Sequence, residues 1–170
     1  SCGGIVSMSE VLVFRIKKWF PFLICLYLVL LSQIPDIRFF FIPLVYIPIF
    51  YFSVFRPKIL NEYMLFLLGL FADFITDTPF GLYSFLFVLL FFVSRLNRLF
   101  LKELSFKSLW VLFIGFSGFM LLLQMFLFAL CESSVVYTKF LFQHFIALVF
   151  FFPIGFWLCD LTNNWIGTEA

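Results

Sequence analysis

The sequence predicts an all-α, polytopic integral membrane protein with about six transmembrane helices and both termini in the cytoplasm. Its 170 residues are 65% hydrophobic and only 12% charged, and the apolar residues form runs separated by short polar breaks. Soluble domains carry roughly 45–50% apolar and about 25% charged residues. Because a water-soluble fold of this length cannot hide so much apolar surface, the solvent of this chain must be lipid.

Six apolar runs predict the spans, at approximately 19–33, 39–55, 63–75, 80–93, 109–130 and 137–159. A helix needs about 20 residues, within a range of about 17–25, to cross the hydrocarbon core. The fifth and sixth runs meet this length, the second just does, and the first can borrow residues from its flanks. The third and fourth are short, so residues 63–93 form either two short spans shielded by neighbours or a re-entrant hairpin that never crosses. Two short spans are favoured.

The positions of lysine and arginine predict the orientation. With six spans and the N-terminus inside, nine of the eleven basic residues face the cytoplasm. These nine are Arg15, Lys17, Lys18, Arg56, Lys58, Arg95, Arg98, Lys102 and Lys107, whereas Arg38 and Lys139 lie outside. An excess of basic residues on the cytoplasmic side is typical of membrane proteins.

The spans divide the chain into three expected parts. These are a cytoplasmic N-terminal segment over residues 1–18, a single six-helix transmembrane domain over 19–159 and a cytoplasmic C-terminal tail over 160–170. Met8-Ser9-Glu10 is typical of a natural start, so residues 1–7 are left out of the fold prediction.

Two prolines, Pro43 and Pro48, lie inside the second expected span. Each removes a backbone donor from the helical hydrogen-bond pattern. We therefore expect this helix to be kinked or partly unwound against its neighbours.

A lone carboxylate, Asp73, lies in the third run, four residues after Gly69. An ionisable side chain at membrane depth is costly and marks a functional or packing site. On a helix the two residues share a face, so Gly69 would let another backbone approach while Asp73 accepts a hydrogen bond from it. We favour this structural or capping role over proton or metal handling, because the spans supply no second buried carboxylate.

The polar corner after Asp73 predicts a helical hairpin. Asp77 or Thr78 can cap the next helix, with Pro79 at its first position. Gly81 would then permit close contact with another segment.

The remaining polar residues of the spans are expected to hold helices together. Gln124 in the fifth span and His144 in the sixth favour interhelical hydrogen bonds. His144 has no nearby partner for a catalytic triad, so catalysis is the weaker interpretation. Gly115 and Gly118 predict a close-packing patch on the fifth span.

Basic and apolar residues alternate between the fourth and fifth spans. Arg95, Arg98 and Lys102 lie among leucine and phenylalanine side chains, a pattern that suits a cytoplasmic helix on the membrane surface. Its basic side chains could contact anionic head groups or a protein partner, or could simply anchor the neighbouring spans.

Several chemistries find no support in the sequence. There is no P-loop, no G-x-S-x-G, no H-E-x-x-H and no Asp-rich metal motif. The four cysteines have neither CxxC nor Cys/His spacing, so neither a zinc site nor a disulfide framework is indicated. A net charge of +2 does not point to nucleic acid. We therefore expect no enzymatic activity, no cofactor and no nucleic-acid partner.

The hairpin motif resembles a known family. Gly69-Leu70-Phe71-Ala72-Asp73 followed by Pro79-Phe80-Gly81-Leu82 matches the pattern G-L-x-x-D, then P-x-G-L, of the rod shape-determining protein family MreD. The prolines of the second span and the basic turn Arg56-Pro57 are also similar to that family.

The resemblance implies a non-enzymatic scaffold of the cell-elongation (Rod) complex in the bacterial inner membrane, which regulates cell shape and peptidoglycan synthesis. Such proteins bind MreC, a single-span coiled-coil protein, in a wider assembly with MreB, RodA and a class B penicillin-binding protein. Partner helices would approach closely at small residues, which are Gly69, Gly81, Gly115 and Gly118.

The main alternative is the small-molecule-binding membrane subunit of an energy-coupling-factor transporter, which has a similar size and six helices. That family shows small residues at four-residue spacing in its first helix, and residues 19–33 contain no such pair. An integral-membrane lipid enzyme is a second alternative, but the sequence has no cluster of carboxylates or histidines for it.

Overall fold

The computed structural model describes residues 8–31, 34, 44–76, 78–130 and 136–167. All regular elements in these ranges are α-helices, so the predicted all-α class is confirmed for the described residues. The helices are α1 (Met8–Leu31), α2 (Tyr46–Phe55), α3 (Glu62–Thr76), α4 (Leu82–Leu96), α5 (Arg98–Glu103), α6 (Phe106–Leu130) and α7 (Val136–Ile166).

Helix α2 lies at the centre of the molecule. It contacts α1, α4, α5 and α7, and every residue from Tyr46 to Val54 is buried. A helix that is apolar on all sides is a buried helix, and this one has no polar face to turn outward. With ten residues it is about 15 Å long, half the thickness of the hydrocarbon core.

The second expected span is interrupted just before Pro48. Leu44 is helical, Val45 lies in a turn, and α2 begins at Tyr46 and continues unbroken to Phe55. Because proline has no N–H, Pro48 cannot donate the helical hydrogen bond to the carbonyl oxygen of Leu44, four residues before it. This break agrees with the predicted kink or partial unwinding, and Pro43 lies outside the described residues.

Aromatic rings join α2 to the two long helices. Phe113 of α6 stacks on Phe152 of α7 with centroids 4.3 Å apart, and Phe50 of α2 meets Phe113 edge-on at 5.2 Å. Edge and offset contacts between rings contribute about 0.5–1.5 kcal/mol beyond their buried area. The phenylalanine-rich composition therefore builds part of the core.

Among the described residues, two helices are long and apolar enough to cross a membrane: α6, and residues Phe142–Ile166 of α7. Only 28% and 22% of these segments are buried inside the protein, whereas the core helix of a soluble protein is mostly buried. Their apolar surfaces thus support association with a membrane. The full count of six spans stays a prediction.

The third and fourth expected spans form helices that are shorter than a full membrane crossing. Helices α3 and α4 have 15 residues each, or about 22 Å, against a hydrocarbon core of about 30 Å. They pack against each other as an antiparallel hairpin. Both alternatives for residues 63–93 therefore remain open.

Both expected tails contain helix. Helix α1 begins at Met8 instead of residue 19, and α7 continues past residue 159 to Ile166. The two extensions meet, because Lys17 Nζ lies 5.4 Å from the centre of the Trp165 ring and Ile166 is buried. Packing between chain ends thus extends both helices beyond the apolar runs.

Candidate functional site

The hairpin motif is organised around the carboxylate of Asp73, which is only 1% exposed. Its Oδ1 accepts hydrogen bonds from the backbone N–H of Tyr83 at 2.9 Å and from Thr78 Oγ1 at 3.0 Å. Its Oδ2 accepts one from the backbone N–H of Gly81 at 2.9 Å. Gly81 is the N-cap residue of α4, so the side chain of α3 caps the next helix. A negative charge at a helix N-terminus is also favoured by the helix dipole.

This geometry corrects the expected capping scheme. Gly81 is the N-cap and α4 begins at Leu82, so Pro79 is not the first helical residue. Thr78 does not cap α4; its hydroxyl lies 3.0 Å from both Asp73 Oδ1 and Thr76 Oγ1. Asp77 lies outside the described residues. The capping carboxylate of Asp73 lies ten residues before Tyr83, one of the donors that it accepts from. Local cap patterns do not cover such a separation.

Gly69 lies where the two hairpin helices touch through their backbones. A Cβ added at Gly69 would lie 2.3 Å from Ser84 Cα and 2.5 Å from Ser84 N. Real Cβ contacts essentially never fall below 3.0 Å, so only glycine fits at this position. The close approach brings the N-terminus of α4 within reach of the Asp73 carboxylate, four residues further along α3.

Gly81 has a different role from the one expected. Apart from its chain neighbours, no atom of the described residues lies within 4 Å of a Cβ built at Gly81, so it is not a point of close contact among them. Its φ is +94°, in the left-handed region that L side chains rarely adopt. Gly81 is therefore suited to the turn that aims its N–H at Asp73.

A second set of polar side chains lies between three helices of the core. Gln124 Nε2 of α6 donates to Tyr46 Oη of α2 at 2.9 Å, an interhelical bond of the kind that the sequence favoured. Gln124, Tyr46, Ser117 and His144 of α7 all line a cavity of about 20 Å³. This volume can hold one water molecule, which needs about 10–15 Å³ by this measure.

The predicted packing patch on α6 is not a backbone contact within the chain. Nothing lies within 4 Å of a Cβ at Gly115, and Gly118 would make only an ordinary contact, at 3.6 Å, with the ring of Phe145. Gly115 is exposed. The close intrachain contact falls instead at Gly155 of α7, whose Cβ would lie 2.9 Å from the side chain of Ile47.

The basic segment spans the end of α4 and the short helix α5. Arg95 is exposed and lies 3.8 Å from Glu62, which begins α3. Lys102 is exposed and Arg98 is half-buried. The pair with Glu62 places the segment beside the turn between α2 and α3. The segment is not an isolated surface helix, because Leu101 of α5 is buried in the core.

A cluster that the sequence analysis missed ties α2 to the end of α7. Arg56 donates through Nε to Asn163 Oδ1 and through Nη2 to the carbonyl oxygen of Gly167, both at 2.6 Å. Tyr51 donates to Asp160 Oδ1 at 2.9 Å. Polar residues directly after a long apolar run were the available signal, but their partners lie more than 100 residues away.

The geometry around Asp73 is that of a helix cap. The hydrogen bonds to Asp73 come from within the hairpin itself, and no group of three His, Cys, Asp or Glu residues in the described ranges could hold a metal ion. Comparison of the chain with protein-family models, curated proteins and solved structures finds no match.

Proposed function

We propose that this protein is a non-enzymatic, multi-pass scaffold of the bacterial plasma membrane, similar to MreD, that binds an MreC-type single-span partner in the cell-elongation complex. The observation that carries the proposal is the hairpin built by the G-L-x-x-D and P-x-G-L motif. The buried carboxylate of Asp73 accepts hydrogen bonds from Thr78, Gly81 and Tyr83 of the same hairpin. A carboxylate used in this way stabilises a helical body, which is what a scaffold requires.

The distribution of charge supports a multi-pass arrangement with the basic end in the cytoplasm. Arg56 contacts the end of α7, Arg95 pairs with Glu62, and Lys17 lies 5.4 Å from the centre of the Trp165 ring. These contacts place the three basic residues at one end of the bundle, which we call the basic end. In the proposed topology of six crossings, the hairpin tip at residues 78–81 lies on the opposite side of the membrane.

One exposed face of α6 suits a partner helix. Gly115 lies between Val111 and Phe119, which are 67% and 55% exposed, at four-residue spacing. A small residue between larger ones allows two helix backbones to approach in a membrane, where tight packing and not hydrophobicity drives association. The partner MreC would supply such a helix, and RodA, MreB and a class B penicillin-binding protein would join through the wider assembly.

Replacing Gly115 by Leu is expected to weaken recovery of the single-span partner at least severalfold without unfolding the protein. The Cβ of the leucine meets no atom of the described residues within 4 Å, apart from its own helix, but the side chain would block a partner backbone. The measurement is affinity purification from membranes in mild detergent, with the partner quantified by mass spectrometry and the thermal midpoint of each variant recorded.

Gly115→Ala is the matched control, because one methyl group still permits close approach, and it should retain most of the partner. Undiminished recovery with Gly115→Leu would exclude this face as the contact. Recovery of an ATPase module from the wild-type protein, in place of a coiled-coil partner, would contradict the scaffold and favour the transporter subunit.

The proposed topology predicts that a cysteine at Phe80, which is 80% exposed at the hairpin tip, reacts with a membrane-impermeant thiol reagent from outside the cell. The native cysteines are first replaced, and Lys58→Cys at the basic end serves as the matched control. Lys58→Cys should react only after the membrane is opened. Protection of the Phe80→Cys variant in intact cells would instead indicate a re-entrant hairpin.

A further inference from the structure

Two arginines at the basic end carry buried nitrogens that make no hydrogen bond with the residues that the structure describes. Arg56 uses Nε and Nη2 to hold the end of α7, yet its Nη1 is buried and makes no hydrogen bond with the described residues. The Nε of Arg98 is likewise buried and unpartnered there. A buried donor of a charged group is costly unless something accepts from it.

Neither arginine has a carboxylate partner among the described residues. The ion pair found there joins Arg95 to Glu62, and both side chains are substantially exposed. The two acceptors of Arg56 are neutral, an amide oxygen and a backbone carbonyl. Buried charges are normally paired, so the positive charge at this place favours an anion.

The fold places the two residues at the same end of the bundle. Arg56 directly follows α2, Arg98 is the first residue of α5, and α2 packs against α5. Helix α5 continues from the C-terminal end of α4, and that end pairs with the start of α3 through Arg95. Because α3 follows α2 after a short turn, α5 meets α2 near the C-terminal end of α2. The two hydrogen bonds of Arg56 also hold its guanidinium in one orientation before any ligand arrives.

The preferred ligand of such a pair is a phosphate group. A guanidinium is planar, always charged and matches the geometry of phosphate oxygens. The surroundings indicate the depth of a lipid head group, because Trp19 and Trp165 are 48% and 53% exposed at this end, and tryptophan is enriched at membrane–water interfaces. The cytoplasmic leaflet of bacterial membranes supplies acidic phospholipids at that depth.

We propose that Arg56 and Arg98 bind the phosphate of an acidic phospholipid at the basic end of the bundle. The lipid would hold α2, α5 and the end of α7 together at the membrane surface. This site does not depend on the scaffold function, because it requires only that the basic end lies at the head-group layer.

The test is lipid binding to the full chain, purified in detergent and stripped of lipid, measured by native mass spectrometry. Phosphatidylglycerol should bind at least about tenfold more tightly than phosphatidylcholine. Arg98→Gln should weaken phosphatidylglycerol binding about tenfold or more, as expected for the loss of a charged hydrogen bond. The Nε of Arg98 makes no hydrogen bond with the described residues, so the Arg98→Gln variant should still fold.

Arg56→Lys keeps the charge but loses the planar fork, and it should also bind phosphatidylglycerol more weakly. Lys58→Gln and Lys107→Gln remove exposed charges from the same end and should change affinity less than about twofold. Inorganic phosphate, added as a competitor, distinguishes a lipid site from a site for free phosphate.

The proposal is overturned if Arg98→Gln binds phosphatidylglycerol as tightly as the wild type, or if Lys58→Gln weakens binding as much as Arg98→Gln does. The second result would mean that diffuse surface charge attracts the lipid. Inorganic phosphate that displaces the lipid at low millimolar concentration, with no preference for phosphatidylglycerol over phosphatidylcholine, would assign the arginines to free phosphate and reject the lipid.

Discussion

Gly69→Ala is expected to destabilise the protein by about 1–3 kcal/mol or more, although alanine is the better helix former. The added Cβ would lie 2.3 Å from Ser84 Cα and 2.9 Å from the carbonyl carbon of Tyr83, and both are backbone atoms. Backbone atoms cannot rotate away, so α3 and α4 must separate. Their separation also lengthens the hydrogen bonds between Asp73 and the start of α4. The measurement is the thermal midpoint in detergent, followed by tryptophan fluorescence.

Gly115→Ala is the control variant, for which the expected change in stability has the opposite sign. It makes the same chemical change in another helix of the protein, but nothing lies within 4 Å of the new methyl group. Its thermal midpoint should stay unchanged or rise, since alanine replaces glycine in a helix with a gain of up to about 1 kcal/mol. Equal midpoints for the two alanine variants would show that the hairpin backbones are not in contact at Gly69.

Asp73→Ala is expected to cost at least about 3 kcal/mol of unfolding free energy. It removes the acceptor of three donors, the N–H groups of Gly81 and Tyr83 and the hydroxyl of Thr78, in a place that is almost completely buried. Each buried donor left without an acceptor costs about 1–3 kcal/mol. The amide protons of Gly81 and Tyr83 should also lose protection in hydrogen exchange, which reports the cap itself.

The variant Asp73→Asn distinguishes a capping role of Asp73 from a catalytic role. Its amide oxygen can still accept from Thr78 and Tyr83, but its NH₂ group would face the N–H of Gly81. We expect a smaller loss, of about 1–3 kcal/mol, with complex assembly reduced in proportion. If Asp73→Asn kept full stability and assembly but abolished a turnover of the protein, Asp73 would be a catalytic group and the packing role would be rejected.

The sequence predicted the hairpin because its signals are local. A glycine and a carboxylate at four-residue spacing share a helix face, and a cluster of turn residues ends the helix after them. These rules identify Asp73 as a buried acceptor. They do not identify its donors, because the left-handed φ of Gly81 is decided by the turn as a whole.

Local rules do not decide which glycine of an apolar helix makes a close contact within the chain. Gly115 and Gly155 look alike in an apolar run. Only the packing of α7 on α2 places Gly155 against Ile47 and leaves Gly115 exposed.

By itself the sequence determined that this chain is helical, suited to lipid and basic at one end, because composition and charge placement do not depend on how the helices pack. Only the tertiary structure decided that α2 is the buried centre and that Arg56 holds the end of α7 through Asn163 and Gly167. The physical reason is the large separation in sequence between the contacting residues. A sequence pattern reports which face of one helix is apolar, whereas these contacts join residues more than 100 positions apart, and no local propensity encodes such a pairing.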